Sequence, residues 1–226
     1  MNFDPRAYLP NANKDKRPGP NSNAKPMIAK PIDPLTVGAQ VPDFELETYS
    51  PANCAFGKLS LKDIKARKKW LVLVFYPADF TFVCPTELAD LASHYPALQQ
   101  LGAEVVSVSP DSKFVHLAWH RAEKRLAEIS FPMAADPTRS VSRLFGVCDT
   151  ASRMSLWGTF IINPSGVLVS TQVNHFRIGG IGEELRRKLE MFIYVRNLPA
   201  PACSAIWKAG RTTLTPSVQS SSCRSA

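Results

Sequence analysis

An unbroken apolar run, Trp70-Leu71-Val72-Leu73-Val74-Phe75, stops at Tyr76-Pro77, and a helical pattern opens only a few residues later around Cys84-Pro85-Thr86-Glu87-Leu88. A short continuous run of this kind reads as a strand buried on both faces. Such a strand needs a layer of structure above and another below it, which commits the chain to an α/β architecture. The loop that follows places Cys84 in the first turn of a helix, just past the carboxyl end of that strand. Unpaired N–H groups and the positive end of the helix dipole favour a thiolate there. The same edge of an open α/β sheet is where ligands bind. A reactive thiol is the reading that this layout supports.

With 226 residues and 45% hydrophobic content, the chain can bury one generous core with arms to spare. It has no run of about eighteen apolar residues, so no membrane span is predicted. Met1-Asn2-Phe3-Asp4-Pro5 offers neither a charged n-region nor an apolar h-region, and no signal peptide is expected. Five cysteines, odd in number and irregularly spaced, do not suit a disulfide framework. They fit a reducing compartment, and cytoplasmic localisation is the expectation. The net charge of +8 raises the question of nucleic acid. The basic clusters at 65–69, 121–125 and 186–188 lie beside acids or at element ends and lack interleaved aromatics. They read as solvated surface, with no nucleic-acid partner. His116 and His120 stand four apart, a spacing that metal pairs use on a helix. No third ligand cluster and no Cys-x-x-Cys accompanies them, so they are read as structural histidines, with no metal and no other cofactor.

Residues 1–36 are rich in Pro, Asn and Lys, show no hydrophobic periodicity and read as an extended, mostly disordered arm. The folded domain is expected over 37–199, and 200–226 as a C-terminal arm with a mobile, serine-rich end. Within the domain, helical spacing covers 86–101, 112–127, 140–145 and 181–195, with Gly102 and Gly146 as stop signals. Strand patterns cover 70–75 and 104–109. Two further strands, 158–163 and 167–173, flank Pro164-Ser165-Gly166 as a hairpin. This order predicts a central mixed sheet flanked by helices.

Pro77-x-x-x-Thr81-x-x-Cys84, followed by Pro85-Thr86-Glu87-Leu88, stands at the spacing of the peroxiredoxins. The chain resembles their typical two-cysteine, alkyl hydroperoxide reductase group. Asp43-Phe44, His116-Leu117-Ala118-Trp119, Gly158-Thr159-Phe160-Ile161-Ile162 and Cys203-Ser204-Ala205-Ile206-Trp207-Lys208 extend the likeness from about Val37 to about Pro216. The resemblance implies a thioredoxin-like fold and a thiol peroxidase acting on hydrogen peroxide and alkyl hydroperoxides. Cys84 would attack the peroxide and become a sulfenic acid. Thr81 would hydrogen-bond the sulfur and a peroxide oxygen, Pro77 would shield the thiolate, and Glu87 would help to orient an arginine. Cys203 matches the resolving cysteine, supplied by the partner subunit of a homodimer, and such dimers often close into rings of five. A thioredoxin-like dithiol or a flavoprotein disulfide reductase would restore the thiols. Of the remaining cysteines, Cys54 and Cys148 read as packing or surface residues, and Cys223 is a competing candidate for resolution. Sensitive relatives carry a Gly-Gly-Leu-Gly insertion and a C-terminal Tyr-Phe pair. Here 121–132 has no glycine and nothing after Cys203 is Tyr or Phe, which implies resistance to overoxidation.

Three departures from that pattern stand out. Trp157 precedes Gly158-Thr159-Phe160 where the family carries an arginine. Gly180, in Ile178-Gly179-Gly180, takes the place of another. Ser204 replaces the proline that usually follows the resolving cysteine. Loss of a guanidinium removes thiolate stabilisation and a bidentate donor. Arg153 and Arg177 are candidate substitutes. Two function classes follow: a peroxidase, slower than arginine-bearing relatives, or a weakened member that serves as a holdase chaperone or redox-sensing interaction protein. The retained Thr81, Cys84 and Cys203 favour the first.

Overall fold

The computed structural model describes residues 33–175, 182–196, 202–205, 207–211 and 213–214. Seven strands form one mixed sheet in the order β2-β1-β5-β4-β3-β6-β7. The strands are β1 (Glu45–Ser50), β2 (Ala55–Ser60), β3 (Trp70–Phe75), β4 (Ala103–Ser109), β5 (Met133–Ala135), β6 (Trp157–Ile162) and β7 (Leu168–Asn174). The helices are α1 (Leu61–Ala66), α2 (Cys84–Gln100), α3 (Lys113–Ala122), α4 (Ser140–Leu144) and α5 (Gly182–Arg196).

β3 is the hinge of the design. It pairs in parallel with β4 and antiparallel with β6, so both its edges are satisfied. Its side chains alternate between two cores, as the twofold period of a strand requires. Trp70 and Val72 join Leu88, Leu91 and Leu98 of α2 and Leu185 and Leu189 of α5. Leu71, Leu73 and Phe75 face the other way, onto Leu61 and Ile64 of α1, Val141 of α4 and the aromatic pair Phe145 and Phe160. The predicted two-faced strand is thus realised.

The predicted helix from 112 stops at Ala122, and a 3-10 turn, Lys124–Leu126, follows it. The break begins at Glu123, whose backbone leaves the helical region (φ −100°, ψ 110°) and whose side chain accepts the Arg125 N–H. Sequence patterning also passed over the β1–β2 hairpin and β5, which occupy the far edge of the sheet. Leu35 already belongs to the packed domain, since its N–H donates to Leu144 O at 3.1 Å and its side chain packs on the second core. No helix among the described residues is long and apolar enough to cross a membrane.

Candidate functional site

Cys84 is the first residue of α2 and is only 2% exposed, beneath the loop that links β3 to that helix. Pro77, also buried, opens this loop. Thr81 folds back on it, its hydroxyl donating to Ala78 O at 3.0 Å and sharing a hydrogen bond with the Cys84 sulfur. A hydroxyl has one proton to give. While that proton serves Ala78 O, the Thr81 oxygen is free to accept from a Cys84 S–H. For a thiolate, the hydroxyl must rotate and donate to sulfur instead. The Thr81 hydroxyl thus has two competing acceptors, and turning it to sulfur favours the thiolate.

The helix start was expected to lower the thiol pKa, and the structure corrects that balance. Burial pushes the Cys84 thiol up, outweighing the hydrogen bonds from Thr81 and from the Ala78 and Cys84 backbones. The Asp79 carboxylate pushes it further in the same direction. Local geometry limits what the first turn can offer. Thr86 N–H and Glu87 N–H both donate to Val83 O, at 3.0 and 3.4 Å, and Pro85 has no N–H. Few free donors of the first turn are left to hold an anion.

Glu87 lies one turn further along α2 and faces a cavity between α2, β6, β7 and α5, walled by Trp157, Thr159 and Gln172. Where the resemblance places an arginine, the indole of Trp157 is 4% exposed and part of the core that contains Cys84. Arg153 lies elsewhere: it lines a separate cavity with Arg139, Arg143 and Cys148. Gly180, Arg177 and Cys223 lie outside the described residues. Among the described residues, the Coulombic influence on Cys84 is that of Asp79.

Cys203 is half-buried beside α5, in an apolar cavity lined by Arg187, Met191 and Phe192. Arg187 holds this segment from below, its Nη1 donating to Ala205 O at 3.3 Å and Trp207 O at 3.0 Å. Trp207 is buried and packs on Tyr194, with ring centroids 5.0 Å apart. Cys54, Cys84, Cys148 and Cys203 are all free thiols.

His116 and His120 do not converge on one point. His120 Nδ1 lies 3.3 Å from the Tyr49 hydroxyl. His116 is buried in a different network: its Nδ1 meets Asp79 Oδ2 at 2.8 Å, and the other oxygen of that carboxylate accepts from the Tyr76 hydroxyl at 2.7 Å. Among the described residues, no group of three potential ligands could hold a metal ion. The Tyr76–Asp79–His116 network is the part of the site that sequence reasoning missed. Tyr76 and Asp79 bracket Pro77, so it is built into the cysteine loop itself.

A family model described as AhpC/TSA matches residues 37–171, well over half of the chain. The chain belongs to the AhpC/TSA family. The alkyl hydroperoxide reductase C of Bacillus subtilis (strain 168) is 42% identical over 182 residues, spanning 80% of this chain and 95% of that protein. That of Staphylococcus aureus (strain Mu50) is 39% identical over 180 residues, covering 80% and 94%. Among solved structures, Enterococcus faecalis AhpC superposes with a TM-score of 0.70 at 43% identity, over 74% of this chain and 98% of that one. Reduced Plasmodium vivax 2-Cys peroxiredoxin gives 0.76 at 30% identity, over 82% and 96%. The mixed sheet with its flanking helices is thus the thioredoxin-like fold of this AhpC/TSA family.

Proposed function

We propose that this protein reduces hydroperoxides with Cys84 as the peroxidatic thiol. The observation that carries the reading is the position of Cys84, which opens α2 in a water-poor pocket with Thr81 hydrogen-bonded to its sulfur. The Cys84 thiolate attacks the terminal oxygen of the peroxide. An S–O bond forms, the O–O bond breaks, and the departing alkoxide or hydroxide takes up a proton. Thr81, rotating toward sulfur, gives its one hydroxyl proton there while its oxygen accepts from the peroxide O–H. Pro77 keeps water from the thiolate, and Glu87 shapes the adjoining cavity. The product is a Cys84 sulfenic acid.

Resolution falls to Cys203. Its thiol displaces the sulfenic oxygen as water, leaving a Cys84–Cys203 disulfide, which an external dithiol then reduces by exchange. A thioredoxin-like protein or a flavoprotein disulfide reductase fits that role. The assembly that supports this chemistry is a homodimer, with rings of five dimers as the larger form. Two surfaces favour such contacts. β7 is an open sheet edge. Phe80 and Phe82 of the cysteine loop are 60% and 94% exposed, and Phe114 at the start of α3 is 62% exposed. Free thiols throughout the described residues suit a reducing cytoplasm.

The test is stoichiometric. Reduced protein mixed with hydrogen peroxide or an alkyl hydroperoxide should consume one equivalent, with loss of two thiols. Cys84→Ser should consume none. Equal consumption by Cys84→Ser would overturn the assignment.

A further inference from the structure

The hairpin that leads into β6 closes a cavity of about 420 Å³ that plays no part in the chemistry proposed for Cys84. Its walls carry three guanidiniums, those of Arg139, Arg143 and Arg153, together with the Cys148 thiol and one acid, Asp149. The arginines come from two separate stretches of chain, Arg139 and Arg143 from the cap and last turn of α4 and Arg153 from the 149–154 turn, so the fold and not a run of basic sequence assembles them.

Among the described residues, none of the three guanidiniums meets a carboxylate within ion-pair distance. Arg139 donates through Nε to Arg153 O and through Nη1 to Pro137 O, both at 2.7 Å. Arg143 donates through Nη2 to Thr138 O at 2.6 Å. Backbone carbonyls thus aim two of the forks without neutralising them. Asp149, the one acid on the wall, forms no ion pair with them among the described residues. Its Oδ2 accepts Ser152 N–H at 2.7 Å and the Ser152 hydroxyl at 2.5 Å, and those bonds are what lower its pKa. The carboxylate is held by its own turn and stays ionised, so three guanidiniums face one negative charge and the wall keeps an excess of positive charge.

The backbone reinforces the point. Arg139 and Arg153 both adopt left-handed conformations, with φ of +58° and +60°, which cost a side-chain-bearing residue free energy. The Arg139–Arg153 hydrogen bond ties these two strained positions together. Positive charge in excess around one concavity favours an anion there, and planar guanidinium forks match phosphate and carboxylate oxygens. The cavity lies at the lower end of the size range of small-molecule sites.

We propose that this cavity is a binding site for a compact polyanion, a small molecule bearing two or more phosphate or carboxylate groups, held by Arg139, Arg143 and Arg153. Cys148, half-buried in the same wall, is a built-in reporter of occupancy. The site is independent of peroxide reduction and stands or falls separately from it.

The experiment uses the full chain at low ionic strength, titrated calorimetrically with pyrophosphate in one arm and citrate in the other. The two arms separate a phosphate-selective from a carboxylate-selective site. Saturable, salt-sensitive binding of at least one is expected, with slower alkylation of Cys148 by a neutral reagent, read by peptide mass mapping. Arg153→Gln should weaken binding about tenfold or more, as loss of a charge-assisted contact does, and Arg153→Glu should abolish it. Arg143→Gln should behave like Arg153→Gln. Peroxide consumption should stay unchanged in all of them. Among the described residues the Arg153 side chain has no hydrogen-bond or ion-pair partner, and the residue is exposed, so its replacement should leave the domain intact, with unchanged thermal unfolding as the check. Failure of both anions to bind, or binding that Arg153→Glu leaves intact, overturns the proposal.

Discussion

His116 Nδ1 lies 2.8 Å from Asp79 Oδ2, and neither side chain has any solvent exposure. His116 Nε2 faces Ala134 O at 3.2 Å. A carbonyl only accepts, so Nε2 donates there and Nδ1 is left to face the carboxylate. Asp79 also receives the Tyr76 hydroxyl, while its backbone N–H donates to Asp111 Oδ2 at 2.8 Å. The loop that carries Pro77 and Thr81 is thereby fastened to β4 and α3.

Removing one member of a buried pair strands the other. His116→Ala or Asp79→Ala should each cost about 3–5 kcal/mol, seen as a lower denaturant midpoint at unchanged slope. The double variant should cost much less than the sum of the two. Strict additivity would show that the residues do not act as a unit.

The reaction of Cys84 with peroxide should be steeply pH-dependent. The thiolate is the nucleophile, and burial holds the thiol above the ordinary cysteine range. Below that raised pKa, the rate should climb about tenfold per pH unit, with no plateau near neutrality. Asp79→Asn removes a negative charge that disfavours the thiolate, so it should lower the Cys84 pKa, measured by ultraviolet absorbance of the thiolate. A rate that is already flat at neutral pH would mean that a cation beyond the described residues outweighs burial.

Trp157→Arg restores the family's guanidinium, but the site is no longer shaped for it. The indole is nearly fully buried in the core shared with Leu88, Leu91 and Leu185. Its loss alone should cost about 3–5 kcal/mol, and a guanidinium in an apolar wall adds desolvation. Two opposed results are expected from one variant: a lower Cys84 pKa and a clearly lower melting temperature. A revertant as stable as the parent would show that the wall accepts a charge. The parent itself should react with peroxide about one to two orders of magnitude more slowly than an arginine-bearing relative, since one charge-assisted hydrogen bond is worth roughly 1.5–3 kcal/mol.

The strand-to-helix unit was legible because its signals are local: six apolar residues, a proline, then helix formers. The apolar runs of β4, β6 and β7 were legible for the same reason. The β1–β2 hairpin was not, because β2 contributes mainly exposed residues and carries Gly57 in its middle. Three-residue β5 has no period to detect. In the candidate site, motif spacing picked out Pro77, Thr81, Cys84 and Glu87, but not the balance of forces on the thiol. That balance depends on how deeply the loop sinks and on which N–H groups Val83 O has already taken. The Asp79–His116 contact joins residues 37 positions apart, and no local pattern encodes it.

The last prediction concerns how Cys203 reaches its target. One equivalent of peroxide should convert reduced protein to a covalent dimer on a non-reducing gel, and Cys203→Ser should remove the species linked through Cys84 and Cys203. Full dimerisation of Cys203→Ser through Cys223 would show that the resolving thiol lies elsewhere. The rate of resolution should answer to Arg187. Glu184 grips this guanidinium through two oxygens, at 2.7 and 2.9 Å, while Nη1 holds Ala205 O and Trp207 O. The segment that must leave its seat is therefore fastened on the far side of Cys203, and Trp207 stays anchored against Tyr194. Arg187→Ala removes the fastening without touching either thiol. Disulfide formation should then quicken, by roughly tenfold if about 1.4 kcal/mol of the hold is lost, while the initial oxidation of Cys84 keeps its rate. Competition between resolution and a second peroxide sets the yield of sulfinic acid, so the variant should overoxidise even less than the parent, by mass spectrometry of the Cys84 peptide. Slower resolution in Arg187→Ala would mean that the docked turn, not its release, presents Cys203 to the sulfenic acid.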